Sequence, residues 1–482
     1  MKQIFARLSR RIIRAQLART TPSKLLSIGS KKALRCFKRA ASQSFAYRVL
    51  LDEAQVDPNC IRTIADFTTY CPILEKANTF RRFGISDLLA KDSRFEQIAS
   101  ILTSSGHGAN GYALGLSTRS QLVSTPAMID LGLDMAFNTD RYRTLLINCL
   151  PMGVTFQSNA VCVANVSVRE DMACAIVEQA GGLFEQIILC GDPLFLKRLC
   201  DYSQAKGLDW RQHRMNVVVG EETFSESFRA YLAAQLGIDL QDDSCGMVGS
   251  SMGVGELGLN LFNETRETIA LRRACDHSPV LLAQLCGGSA TKAPLPTFLA
   301  FNPLRTFVEI IRPDADGIGE LVITVLDLHA PIPLMRYCTG DRASLIEHET
   351  LVACITKHQL PYAAPSLPVI ALHGRAKDVL PEGWHVDLFK SALYREPAVA
   401  RQLSGAFRIA MNAGRVLWTL QRGVDVKADC VDIAMALKRA FVEMQDDAML
   451  PLDVECFDYP AFPYGQSIDY ERKFSYWIEP SN

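Results

Sequence analysis

Short apolar runs alternate with helical patterns along roughly the first 370 residues of the chain. Such runs are typical of strands that are buried on both faces of a sheet. We predict strands over residues 145–150, 160–168, 186–190, 216–219, 307–311 and 321–325. The alternation of strands with helices predicts an α/β fold with several sheets in a large N-terminal domain.

A helix is predicted over residues 223–236, between two of these strands. Thr223 and Glu226 have the spacing of a capping box, and Gly237 is a typical helix stop. The apolar positions form one stripe along the helix: Phe224, Phe228, Tyr231 and Leu232.

The pattern changes after about Gly374. Two helices are predicted there, over 398–412 and 428–445, followed by an aromatic tail at 457–477. A chain of 482 residues exceeds what one hydrophobic core usually organises. We therefore predict a basic amphipathic N-terminal segment (1–40), a large domain (41–373) and a small, mobile α+β domain (374–482), with a hinge between the last two.

Charge is concentrated at the N-terminus. Residues 1–50 hold 13 Lys or Arg and no Asp or Glu, although the formal net charge of the chain is −1. The other 432 residues therefore carry a formal charge of −14. Apolar residues recur at near-helical spacing from Ile4 to Leu17. This segment could be a solvated helix that leans on the main domain, a contact for a peripheral membrane surface or a partner, or a transit-like sequence.

Two further patterns bear on the environment of the chain. The uncharged stretch between Arg143 and Arg169 is interrupted by amides, prolines and glycines, so we predict strands around a turn and no transmembrane helix. The fifteen cysteines are scattered singly. We therefore expect reduced, mostly buried thiols and a cytoplasmic location. We expect no nucleic-acid partner.

A polar turn follows the apolar pair Ile101-Leu102 and runs from Thr103 to Gly111. Backbone N–H groups in a turn rich in glycine and hydroxyl residues can bind phosphate oxygens. We therefore assign nucleotide binding to Thr103, Ser104, Ser105 and Gly106. An ordinary polar loop is the alternative, because the turn has no Walker A lysine.

The segment Gly249-Ser250-Ser251-Met252-Gly253 matches the G-x-S-x-G motif of serine hydrolases. Asp341 and His373 follow in the order that such a triad requires. The residues before the motif, however, make a poor strand, and a nucleophile elbow needs a strong one. A hydrolase that uses Ser251 is therefore the weakest of the alternatives.

A third pattern pairs the strand that opens at Gly319-Glu320 with the segment Pro333–Asp341. An aspartate at the end of such a turn can accept hydrogen bonds from both hydroxyls of a ribose, and Arg336 can face a phosphate or hold the turn.

With these motifs the chain resembles the adenylate-forming superfamily, and within it the phenylacetate–CoA ligase-like branch. Thr103–Gly111 resembles the phosphate loop of that branch, and Gly220-Glu221 resembles its adenine-side turn. Gly246 lies in the turn that follows. Asp341 corresponds to the ribose ligand, and Arg375 lies in the hinge motif. Lys473 is placed like the C-terminal catalytic lysine.

The resemblance implies ATP-dependent activation of a carboxylic acid as an acyl-adenylate, with Mg²⁺, and transfer to the thiol of CoA or of a phosphopantetheine arm. A carrier protein and a homodimer are open partners. We expect an apolar or aryl acid as the substrate, in a pocket formed by four residues: Met152, Phe156, Met247 and Met252.

The chain departs from the family pattern at Gly249, where the magnesium-binding glutamate is expected, and Glu256 is the nearest replacement. His107, Gly108 and Asn110 replace the usual threonines and lysine of the phosphate loop. These departures leave a non-catalytic nucleotide-binding homologue as the alternative to a ligase.

Overall fold

The computed structural model describes residues 2–103, 112–151, 153–242, 244–287, 294–381, 383–412, 414–444, 450–463 and 468–477. The α-helices are α1 (Lys2–Arg19), α2 (Pro22–Gln43), α3 (Phe45–Glu53), α4 (Ile64–Tyr70), α5 (Ile85–Leu88), α6 (Arg119–Phe137), α7 (Glu170–Ala180), α8 (Pro193–Lys206), α9 (Glu226–Leu236), α10 (Arg266–Asp276), α11 (Pro279–Cys286), α12 (His348–Lys357), α13 (Val386–Arg395), α14 (Pro397–Ala400) and α15 (Cys430–Val442).

The strands are β1 (Ile98–Thr103), β2 (Leu114–Thr118), β3 (Thr144–Asn148), β4 (Cys162–Asn165), β5 (Gln186–Gly191), β6 (Met215–Val219), β7 (Val248–Val254), β8 (Gly258–Asn263), β9 (Thr297–Phe301), β10 (Thr306–Ile311), β11 (Gly319–Val325), β12 (Tyr337–Ile346), β13 (Val369–Arg375), β14 (Leu403–Asn412), β15 (Arg415–Arg422) and β16 (Leu452–Phe457).

An eleven-stranded sheet organises most of the chain, in the order β10-β11-β12-β13-β9-β8-β7-β6-β5-β3-β4. The half from β7 to β4 is parallel, and the half from β10 to β8 is antiparallel. Every residue of β3 and β5 is buried, as their uncharged sequences predict. The α/β prediction is confirmed, and each of the six predicted strands overlaps an observed one.

The parallel half carries its helices on its faces, and these helices fix where the loops emerge. Parallel strands need a crossover, and α8 and α9 supply it after β5 and β6. The carboxyl ends of β3, β5 and β6 therefore lie together at one edge. The loops that follow these ends open towards the cavity described below.

The N-terminus of α9 differs from the predicted capping box. Ser225 is the N-cap and accepts a hydrogen bond from the backbone N–H of Phe228 at 3.2 Å. The hydroxyl of Thr223 instead donates to the carboxylate of Asp387 in α13 at 2.5 Å. The prediction of Thr223 as the cap was wrong because a tertiary partner takes its hydroxyl.

The predicted helix over 398–412 was also wrong. Only α14, at Pro397–Ala400, is helical, and Leu403–Asn412 forms β14. Gly405, at φ 93°, lies in a backbone region that favours glycine, and β14 pairs antiparallel with β15. The second predicted helix, over 428–445, is confirmed as α15.

The C-terminal part forms a three-stranded sheet, β14-β15-β16, with α13 and α15. Its core is continuous with the core of the parallel half: Phe389 and Trp418 belong to the same buried cluster as Ile187 and Leu232. The predicted boundary at 373/374 falls inside β13. The separation into a large and a mobile small domain stays a prediction, and the packing joins the two parts through apolar side chains.

The N-terminal segment forms two helices that pack on the protein. Phe37 of α2 is fully buried in a cluster with Tyr47 and Phe67, so α2 is part of the core. α1 lies on α6 and forms ion pairs with it and with the residues that follow it. Within the described part of the chain, no helix combines the length and apolar character that crossing a bilayer requires.

Candidate functional site

A cavity of about 2590 Å³ opens at the carboxyl edge of the parallel strands. It extends from the loop after β6, past the ends of β12 and β13, to the C-terminal tail and to α6. Ligands of open α/β sheets bind at this edge. The volume exceeds the 300–1,000 Å³ that is usual for a small-molecule pocket, so it can hold more than one reactant.

The turn after β6 forms one wall. The N–H of Gly220 donates to the carbonyl of Gly191 at 3.0 Å, and a Cβ at Gly220 would lie 3.2 Å from the Leu150 side chain. Glu221 has a left-handed backbone (φ 67°), which is uncommon for a residue other than glycine and marks a constrained position. Gly220 and Glu221, which the sequence assigns to nucleotide binding, both line the cavity.

Lys473 reaches this turn from the C-terminal tail. Its Nζ donates to the carbonyl oxygen of Glu221 at 3.1 Å and lies 3.2 Å from the Glu221 carboxylate. The lysine side chain is 16% exposed. Two residues that are 252 positions apart therefore place an ammonium group in the cavity wall.

Asp341 and Arg375 also line the cavity, and they are register partners on β12 and β13. The Nε of Arg375 donates to Oδ1 of Asp341 at 2.9 Å. Oδ2 of Asp341 is buried and has no hydrogen-bond partner among the described residues. A buried carboxylate oxygen without a donor is costly, so this atom is an acceptor available to a ligand O–H.

Three cationic side chains lie close together in this part of the cavity: Arg375, Lys377 and Lys473. The charge of Asp341 raises the pKa of Arg375, and Asp378 and Glu221 contribute to the same shift. The pKa of Lys377 is lowered by burial, and the neighbouring Arg375 and Lys473 lower it further. Carboxylates lie among these cations: Asp378, Glu221 and Glu222 act on Arg375 or Lys377 in the opposite sense. The three cationic side chains can still attract an anionic ligand such as a phosphate. The sequence analysis did not select Lys377, although this residue lies between Arg375 and Asp378 in the chain.

Arg336 holds the turn rather than facing the cavity. Its guanidinium donates to the Glu309 carboxylate at 2.9 Å and to the carbonyl of Cys71, and its side chain is 5% exposed. Its backbone has φ 46°, and its N–H donates to the Thr324 hydroxyl at 2.8 Å. Of the two roles that the sequence left open, the contacts match the structural one.

Gly246 serves packing. A Cβ at Gly246 would lie 1.5 Å from the carbonyl oxygen of Met215, so only glycine fits between these strands. The cavity wall begins one residue later, at Met247. The nucleotide-binding role predicted for Gly246 therefore has no direct contact to support it in this geometry.

The carboxylate of Glu256 lies elsewhere in the cavity. Its Oε1 accepts a hydrogen bond from the Tyr337 hydroxyl at 2.6 Å and lies 3.7 Å from the Lys76 ammonium. A cation so close to the same oxygen does not favour a metal there. Among the residues that the structure describes, no group of three or more His, Cys, Asp or Glu could hold a metal ion. The described part of the chain therefore offers no ready-made carboxylate cluster for Mg²⁺, which proteins often hold by one or two carboxylates together with substrate phosphates.

The predicted acid pocket is partly assembled. Phe156, Met247 and Met252 line the cavity, and Phe156 and Met247 pack in one apolar cluster. Thr103 lines the cavity at the end of β1. Met152, Ser104, Ser105 and Gly106 lie outside the described residues.

The three residues of the hydrolase alternative are engaged separately. Ser251 lies within β7 rather than at a strand-to-helix turn, and its hydroxyl donates to Asn260 at 3.2 Å. His373 lies 3.2 Å from the Ser344 hydroxyl, and burial lowers its pKa to about 4. Asp341 is paired with Arg375. The geometry contains no elbow and no triad.

A largely buried ion-pair network adjoins the turn at the cavity wall, and sequence analysis missed it. Lys390 of α13 lies 3.1 Å from both Glu222 and Asp387. Burial alone would lower the pKa of Lys390, but the charges of Asp387 and Glu222 outweigh it and raise that pKa. The spacing of Asp387 and Lys390 on one helix was visible in the sequence, whereas the partner at Glu222 required the fold.

No protein-family model matches the chain, and no curated protein matches it. Solved structures do match. A 2-hydroxyisobutyryl-CoA ligase in the postadenylation state, in complex with R3-HIB-AMP, aligns with a TM-score of 0.63 at 11% identity, over 95% of this chain and 89% of its own. The same ligase in the thioesterification state, with 2-HIB-AMP and CoA, aligns with a TM-score of 0.53 at 12% identity over the same shares.

The acyl acid amido synthetase AtGH3.15, in complex with 2,4-DB, aligns with a TM-score of 0.55 at 14% identity, over 98% of this chain and 94% of its own. The likeness spans nearly the whole chain, and the protein has the fold of the adenylate-forming ligases.

Proposed function

We propose that this protein activates a carboxylic acid with ATP and passes the acyl group to a nucleophile. In the first step a carboxylate oxygen of the acid attacks the α-phosphorus of ATP, the bond from that phosphorus to the bridging oxygen breaks, and pyrophosphate leaves. In the second step a thiol sulfur attacks the acyl carbon of the adenylate, AMP leaves, and the thiol proton passes to solvent.

One observation carries this proposal: a single cavity joins the unpaired Oδ2 of Asp341 to the ammonium group of Lys473. The first atom is an acceptor suited to a ribose hydroxyl. The second is a charge suited to the phosphate at which negative charge develops. Arg375 and Lys377 add positive charge between them. Groups suited to the sugar and to the phosphate thus line the same cavity, as nucleotide binding requires.

The position of the tail supports the first half-reaction. Lys473 lies in the cavity, and the alignment is better with the postadenylation form of the neighbouring ligase than with its thioesterification form (0.63 against 0.53). Mg²⁺ would come with ATP, held by phosphate oxygens more than by the protein.

The acid is the finer part of the proposal. The cavity is larger than a nucleotide needs, and its remaining wall includes Phe156, Met247 and Met252. An apolar or aryl carboxylic acid fits such a wall. The phenylacetate–CoA ligase-like branch stays our proposal for the subtype, with CoA or a phosphopantetheine arm as the thiol. The neighbouring amido synthetase makes an amine the second acceptor to test.

The test is acid-dependent exchange of labelled pyrophosphate into ATP, with a panel of aliphatic and aryl acids of increasing length. We expect exchange with at least one apolar acid and none without acid. Product formation with CoA, with a carrier protein and with amines then identifies the acceptor. ATP binding without exchange for any acid would refute catalysis and favour the non-catalytic nucleotide-binding alternative.

A further inference from the structure

Helix α1 turns its charged face inwards. Arg10 forms an ion pair with Asp140 and lies 3.8 Å from Asp130, and Arg14 forms one with Asp134 at 2.6 Å. The Arg10 side chain is almost completely buried. Because these arginines lie four residues apart, they share one side of the helix and attach that side to α6 and the turn after it.

The opposite side of α1 is apolar and exposed. Ile4, Leu8 and Ile12 follow one another at helical spacing and are 71%, 53% and 50% exposed, and Phe5 beside them is 67% exposed. A helix that packs on a domain normally buries its apolar stripe and exposes its charges. Here the arrangement is inverted, so the exposed stripe needs a partner outside the domain.

Exposed cations lie on α1 itself and on the next helix. Arg11 and Arg19 of α1 are exposed, and only two residues separate the end of α1 from the start of α2. On α2, exposed cations follow at helical spacing along one face: Lys24, Lys31, Arg35 and Lys38. Residues 1–50 contain no Asp or Glu, so no acidic side chain of this segment offsets them.

We propose that α1 is an interfacial helix that docks the protein on an anionic lipid membrane. The stripe Ile4, Phe5, Leu8 and Ile12 would lie among the headgroups, and the exposed cations of α1 and α2 would contact lipid phosphates. An apolar stripe flanked by Lys and Arg is the pattern of helices that lie in the plane of a bilayer.

The distribution of charge favours a lipid surface over a second copy of this chain as the partner of the stripe. A symmetric contact through the stripe would bring the cations of two N-terminal segments together, and neither copy offers an acid there. A fluid anionic surface satisfies both the apolar side chains and the cations without a shaped groove. The inner ion pairs hold α1 in place, so docking requires no rearrangement of the domain.

The experiment is co-sedimentation of the full chain with vesicles of phosphatidylcholine alone or mixed with phosphatidylglycerol. We expect binding only to the anionic vesicles, weakening as salt is raised. The triple variant Ile4→Ser/Leu8→Ser/Ile12→Ser should lose at least roughly tenfold in affinity for the anionic vesicles. Val431→Ser, which changes an exposed apolar side chain on α15, is the matched control and should bind like the wild type.

A second variant keeps the proposal testable if the triple variant does not fold. In Phe5→Trp, added tryptophan fluorescence should shift to shorter wavelength with anionic vesicles and stay unchanged with neutral ones. Three results would overturn the proposal: no binding of the wild type to anionic vesicles at low salt, full binding by a folded triple variant, or a concentration-dependent dimer that the triple variant abolishes.

Discussion

The substitution Lys473→Ala removes one ammonium group from the cavity and leaves its surroundings nearly intact. The lysine contacts the carbonyl and the carboxylate of Glu221 and lies on the C-terminal tail, outside the named helices and strands. A partly exposed ion pair of this kind contributes about 0–1 kcal/mol to stability. The variant should therefore fold, with an unfolding midpoint close to that of the wild type.

The expected loss of activity is much larger. In the attack on the α-phosphorus, negative charge grows on phosphate oxygens, and a preorganised charge in a cavity is worth far more there than in water. Removing one such group typically costs about 2.7–4 kcal/mol, or a factor of roughly 10²–10³ in rate. Lys377 and Arg375 remain nearby, so ATP binding should weaken much less than the rate falls.

The assay is acid-dependent pyrophosphate exchange, measured with ATP titration and thermal unfolding on the same preparations. Arg472→Ala is the matched control, because it removes the adjacent cation, whose side chain is 84% exposed. Exchange in that control should stay within about twofold of the wild type, as is usual for exposed sites. A Lys473→Ala protein that keeps a third or more of wild-type exchange would refute the assignment of Lys473.

Three further predictions test other parts of the structure. Asp341→Asn should raise the KM for ATP by roughly 10- to 100-fold, since a hydrogen bond to a charged group is worth about 1.5–3 kcal/mol. Asp314→Asn, in an exposed ion pair, should not change it in the same ATP titration. Burial raises the pKa of Asp192 to about 7 in the folded protein. Between about pH 4 and 7 this carboxyl therefore ionises in the unfolded chain before it ionises in the folded one, so the free energy of unfolding falls as the pH rises, and this penalty is absent at lower pH. Asp192 is the N-cap of α8 and accepts a hydrogen bond from the N–H of Phe195 at 3.0 Å, a role that asparagine can also fill. Asp192→Asn should therefore be more stable than the wild type at pH 7.5 but not at pH 4 in urea unfolding, and an equal effect at both pH values would contradict burial as the cause. Gly246→Ala should lower the unfolding midpoint strongly or prevent folding, whereas Gly182→Ala, with open space around it, should have little effect.

The strands of the large sheet were predictable because burial on both faces leaves a direct trace in the sequence. Residues 186–190 and 216–219 are uncharged, and the structure extends each strand by a single residue. Residues 398–412 include four alanines, which favour a helix, but pairing with β15 makes most of the segment a strand. Local preference is weaker than a partner strand at this site.

The candidate site was predictable in part. Glu221, Asp341, Arg375 and Lys473 were all named from the sequence, and the structure brings them around one cavity. The pairing of Arg336 with Glu309 could not be foreseen, because the two lie on different strands.

The burial of Lys390 against Glu222 was equally hidden, because their contact spans 168 residues. Motifs show which side chains are near one another in sequence. Only the fold shows which of these side chains form hydrogen bonds or ion pairs with residues far away in the sequence.

The shared core beneath the C-terminal part has a kinetic consequence. Phe389 and Trp418 pack in one apolar cluster with Leu232 of the large sheet region. Separating the C-terminal part from that region would therefore expose apolar surface to water, which is unfavourable. If Lys473 must leave the cavity before the acceptor enters, this step would be slow compared with adenylate formation. Mixing enzyme, ATP and acid would then give one rapid equivalent of pyrophosphate per protein molecule, followed by a slower steady release.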